Sequence, residues 1–83
     1  MYEPSKVTYA MLARAPSIGA RLGVRIRGEV ACWVSTVIWA GEAYTRVTSV
    51  DEMTVLHWRG DLDTELAAEM FVNRSGAVEL LAS

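Results

Sequence analysis

One histidine and one cysteine bound the chemistry open to this 83-residue chain. His57 is the only side chain that ordinarily titrates near neutral pH, and Cys32 is the only thiol. A nucleophilic scheme would therefore pair these two, with Asp51, Asp61 or Asp63 orienting the imidazole. Their surroundings argue against it. Cys32 lies within the apolar run Val30–Ala40, where a free cysteine behaves as a small buried hydrophobe. His57 lies in a stretch better suited to a sheet, between Leu56 and Trp58. The chain is accordingly read as a non-enzyme with no catalytic residues of its own, unless a site forms between chains.

The alternating carboxylates Asp61, Asp63 and Glu65 invite a divalent-metal reading. A calcium loop would need Gly at its sixth position and Glu at its twelfth, where this chain has Leu66 and Val72. On a helix, carboxylates two residues apart point in different directions. A lone cysteine excludes an internal disulfide and a multi-cysteine metal site. No strand leads into a glycine-rich phosphate loop. Neither a metal nor a cofactor is expected.

Charge offers two binding surfaces instead. Residues 1–50 carry six basic and three acidic side chains (+3), and residues 51–83 carry two and seven (−5), consistent with the net −2. Arg14, Arg21, Arg25 and Arg27 fall within 14 residues and are the candidates for tracking a phosphate backbone. The acidic pI near 5.2 weighs against that reading. Asp61, Asp63, Glu65 and Glu69 form the opposite surface, suited to a basic groove on a partner protein. Trp39, beside the Gly41 turn, is the tryptophan expected to serve that contact, since tryptophan is a frequent hot spot.

Composition points the same way. Apolar residues make up 52% of a chain that buries only roughly 60–65% of its unfolded surface at this length. A surplus of apolar surface implies an interface, either with a larger protein or with a second copy in a homodimer. The nearly uncharged run Val30–Gly41 is too short to span a bilayer, so no membrane partner is expected. The first residues lack the basic and apolar regions of a signal peptide, which makes the cytoplasm the default location.

The elements that must position these residues follow from periodicity. Ser5–Arg14 reads as a helix stopped by Pro16. Ser17–Gly23 reads as a turn or a single helical turn closed by Gly23. Val24–Arg27 alternates as a half-buried strand, with Arg25 and Arg27 on one side. Val30–Ala40 fits helix period and strand composition alike; the hairpin pattern Gly41-Glu42 followed by Tyr44–Thr48 favours a strand. Residues 49–52 form a turn and 53–59 a strand. Asp61–Arg74 is a helix, with acids in its first turn and Leu62, Leu66, Ala67, Met70 and Phe71 as its apolar stripe. Ala77–Ala82 reads as a last strand, which would complete a βαβ unit, with a helical turn as the alternative.

The fold class expected is α+β in one domain spanning residues 1–83. It has one mixed or mostly antiparallel sheet of four to five strands, with the N-terminal helix and the 61–74 helix mainly on one face. The function expected is a non-catalytic protein–protein interaction module. An inhibitor or adaptor of the kind mobile elements encode, occluding a surface of a larger host protein, fits this size. A nucleic-acid-binding regulator using residues 14–27 is the alternative.

Overall fold

The computed structural model describes residues 9–74. They form helix α1 (Tyr9–Arg14), strands β1 (Ser17–Ile26), β2 (Glu29–Trp39), β3 (Glu42–Ser49) and β4 (Val55–Arg59), and helix α2 (Thr64–Asn73). The strands make one antiparallel sheet in the order β1-β2-β3-β4. The α+β class, the single sheet and its two helices are as the sequence implies. The expected helical residues 5–8 and the expected strand 77–82 lie outside the described residues.

β2 resolves its ambiguous pattern as a strand because it is central. It is paired on both sides, and its two faces are covered by different helices. Register along β2 and β3 is unbroken, pairing Val34 with Val47 and Val37 with Tyr44. Alternation therefore puts Val34 and Val37 on opposite faces. Cys32, Val34, Val47 and Trp58 pack with Ala67, Ala68 and Phe71 of α2. Val37 and Tyr44 pack with Leu12 and Ala15, at and just after α1. The helices thus divide between the faces rather than sharing one, which explains why β2 is apolar on both sides.

Two tight hairpins set this register. Arg27 and Gly28 have φ of 55° and 85°, and Ala40 and Gly41 have 51° and 79°. Paired positive φ values mark type I′ turns, whose twist matches that of the flanking strands. The β3–β4 turn is fastened by side chains: Ser49 Oγ donates to Asp51 Oδ1 at 2.6 Å, and the amide of Met53 donates to the same oxygen. These bonds hold the Asp51 carboxyl below its usual pKa. Ser49 is thus used in a turn and opens no helix.

α2 is shorter than the expected 61–74. Asp63 is its N-cap, accepting from the amides of Glu65 and Leu66 at 3.1 and 3.2 Å, and Arg74 closes it in the left-handed region. Asp61 stands outside the helix and accepts from Thr36 Oγ1. The buried Thr45 hydroxyl anchors the approach, donating to Gly60 O at 2.7 Å and accepting from the amide of Leu62 at 2.8 Å. Ala67, Ala68 and Phe71 form the buried face, while Leu66 is exposed.

The structure overturns the turn expected at Ser17–Gly23. Those residues form the first part of β1, a ten-residue strand. Ile18, Ala20, Leu22, Val24 and Ile26 recur at every second position, the period of a strand, although Gly19 and Gly23 interrupt the composition.

Candidate functional site

β1 is an edge strand. β2 is its one partner in the sheet, and its other side bears main-chain groups with no neighbouring strand among the described residues. Between the pairs Ile18–Thr36 and Leu22–Val34, three β1 residues face one β2 residue, so Gly19–Arg21 bulges. Gly19 supports the bulge with a φ of 78°. Leu22–Ile26 beyond it is regular on the β1 side, the second register shift falling at Ala31 of β2.

Alongside Leu22–Ile26 runs a groove of about 440 Å³ between β1 and α2. Val24, Ile26, Ala68 and Val72 give it an apolar lining, and Arg25, Glu65 and Glu69 give it charge. It continues along β1 past Leu22 to Thr64. Several of these side chains are unusually open to solvent for their type: Leu22 is 55%, Ile26 42% and Val72 59% exposed.

The anticipated acidic residues separate by role. Glu65 and Glu69 line the groove. Asp63 is engaged as the cap of α2, and Asp61 accepts from Thr36. Trp39 is half-buried against the Leu12–Ala15–Val37–Tyr44 cluster, far in register from Leu22–Ile26. Trp58 is buried beneath α2. Trp33 reaches across to Gly23, with the Arg21 guanidinium 4.5 Å from its ring centroid. No tryptophan is among the exposed large apolar side chains of the described residues; Ile18, Leu22, Ile26, Leu66 and Val72 lie on β1 and α2, and Met11, Ile38, Val50 and Met53 lie elsewhere.

The four arginines are spread over α1, β1 and the β1–β2 turn, with Arg21 and Arg25 both on β1. Arg14 ends α1, and Arg21 sits in the β1 bulge between Trp33 and Glu52. Arg25 donates to Gly28 O at 3.0 Å, and Arg27 occupies the turn itself. Arg25 and Arg27 therefore do not share one strand face as expected.

Cys32 and His57 are separated by the sheet. Cys32 packs under α2, whereas His57 pairs in register with Arg46, which pairs with Ser35 on the other face. No dyad can form between them. Burial raises the Cys32 thiol pKa. His57 Nε2 accepts from Arg46 Nε at 3.0 Å, which keeps the ring neutral. Burial, and then the adjacent Arg46 charge, push the pKa of His57 down to about 4.

Arg46 was not anticipated. Besides His57, its guanidinium donates to the carbonyls of Leu12 and Ala15, the latter at 2.8 Å. It thereby caps the C-terminal end of α1 from the sheet. This role depends on juxtaposing residues 31 and 34 positions apart.

Among the described residues, no three His, Cys, Asp or Glu side chains converge as a metal-binding set. No helix among them is long and apolar enough to cross a membrane. No protein-family model matches the chain, and no curated protein or solved structure matches it significantly.

Proposed function

We propose that this protein is a non-catalytic binding module that captures an extended segment of a larger protein along Leu22–Ile26. The captured segment adds to the sheet as a further strand and lays alternate side chains in the groove under α2. Main-chain pairing supplies affinity in such recognition, and the pockets for alternate side chains supply specificity. Capture of this kind withholds the segment from other partners, which is how a small inhibitor or adaptor acts.

The observation that carries this reading is the pairing of an open strand edge with an apolar groove beside it. An open edge alone is a hazard that proteins usually blunt. Here the Gly19–Arg21 bulge confines regular pairing to five residues, about 17 Å of strand. The groove runs along that same stretch.

Selection of peptides from a displayed random library, followed by amide hydrogen exchange, tests it. Selected peptides should slow exchange at the outward amides of Leu22–Ile26. Leu22→Lys and Ile26→Lys should abolish binding while shifting stability by no more than about 0.5 kcal/mol, as exposed positions usually do. Selected peptides that leave β1 exchange unchanged, or that bind both variants normally, would refute the assignment.

A further inference from the structure

Glu65 and Glu69 stand one helical turn apart on α2, and both line the groove. Like charges at that spacing oppose each other along a helix. Neither carboxylate has an ion-pair or hydrogen-bond partner among the described residues. Arg25, the cation on the same groove, directs a guanidinium nitrogen to Gly28 O of its own hairpin. The groove therefore joins an apolar end, formed by Ile26 and Val72, to an acidic one.

The spacing of the two ends matches a strand. The midpoint of Glu65 and Glu69 lies five residues before Val72, or about 7.5 Å along the helix axis. Side chains on one face of a strand recur every two residues, about 7 Å apart. Resting on the strand-addition reading, we infer that the occupant is an extended segment with a lysine or arginine two residues from an aliphatic residue, both facing the groove. The aliphatic side chain lies against Ile26 and Val72, and the cation lies between Glu65 and Glu69. The charge of the occupant complements carboxylates that no cation among the described residues pairs with.

The probes are three fluorescein-labelled nine-residue peptides of alternating Thr and Val. They differ at one central groove-facing position, which is Lys, Leu or Glu. Anisotropy with the full chain at low salt should rank them Lys, Leu, Glu. The Lys peptide should exceed the Leu peptide by roughly twofold to thirtyfold, the range of two exposed ion pairs. That advantage should vanish in Glu65→Gln/Glu69→Gln, whose unfolding midpoint should stay that of the wild type, and should shrink at about 0.5 M salt.

Equal affinity for Lys and Leu peptides overturns the cation while leaving strand addition in place. Binding of none of the three overturns both. Tighter binding of a synthetic peptide of residues 75–83 would assign the groove to this chain's own end. A dimer in light scattering that Ile26→Lys dissociates would assign it to a second copy. Either result also overturns the inference.

Discussion

Arg46 Nε donates to His57 Nε2 at 3.0 Å across the β3–β4 pair, so a permanent cation faces an imidazole that must stay neutral. The ring is 1% exposed and accepts at Nε2, which places its proton on Nδ1. Protonating Nε2 would destroy that bond and set two positive charges against each other. The pair thus links the middle of the sheet to α1, because the same arginine holds the carbonyls of Leu12 and Ala15.

Acid should therefore destabilise the fold through His57. Its pKa is about 4 in the folded state, against an ordinary 6.5. Between those values the unfolded chain binds more protons than the folded one, so stability falls as pH drops from about 6.5 to about 4. The loss attributable to this group has a ceiling of about 3 kcal/mol. Urea unfolding from pH 7 to pH 4 should show it, and His57→Gln should flatten the profile above the carboxylate range. Identical profiles for the two proteins would show that His57 is not held neutral.

Removing the guanidinium should loosen α1 before it affects the rest of the sheet. Arg46→Ala leaves two helix-end carbonyls and the His57 acceptor without their donor, and should cost about 2–4 kcal/mol. Arg46→Lys keeps the charge but lacks the planar fork, and should recover less than half of that loss. Amide exchange should report early opening of residues 10–15 in Arg46→Ala. Full recovery by lysine would mean that charge alone matters here.

Much of this architecture was legible in residue pattern, and the exceptions have physical causes. Tyr44–Thr48 and the Gly41 turn identified β3 because a hairpin is a local signal. The acids from Asp61 to Glu65 signalled a helix for the same reason, although they put its start at Asp61 rather than after the Asp63 cap. The second part of β1 was legible from Val24 onward, but Ser17–Gly23 read as a turn because Gly19 and Gly23 resemble turn residues, although the apolar alternation from Ile18 to Ile26 runs throughout. Glu65 and Glu69 were readable as acidic, but the groove they line exists only once α2 lies over β1. Arg46 was unreadable, since its partners are joined to it by tertiary packing alone.

Gly23 is required for a different reason from the turn glycines. A Cβ built there would lie 2.9 Å from Trp33 Cζ3, and Arg21 stacks on that same indole. Gly23→Ala should therefore displace the ring, cost about 1–2 kcal/mol and change tryptophan emission. In a Trp33→Leu background the penalty should largely disappear. An unchanged penalty in that background would place its origin in the β1 backbone instead.

The β2–β3 turn should be improvable. Ala40 adopts a φ of 51°, a region that disfavours a Cβ, at the position where type I′ hairpins prefer Asn. Ala40→Asn should raise stability by about 0.5–1 kcal/mol and leave groove binding unaltered, since the turn lies on the other side of β2 from β1. A loss of stability would show that the turn is not of this type.

Cys32 should report the seating of α2. It is fully buried with Ala67, Ala68 and Phe71 packed in its cluster, and burial raises its pKa, so both access and thiolate formation are suppressed. At pH 8 a thiol reagent should label the native protein at least about a hundredfold more slowly than the urea-unfolded chain, because labelling must wait for an opening. Asp63→Ala, which removes the N-cap of α2, should lower stability by about 1 kcal/mol and speed labelling about fivefold. Should the variant label no faster although its stability falls, Cys32 would be reached by a route other than release of α2, and the helix would not be what shields it.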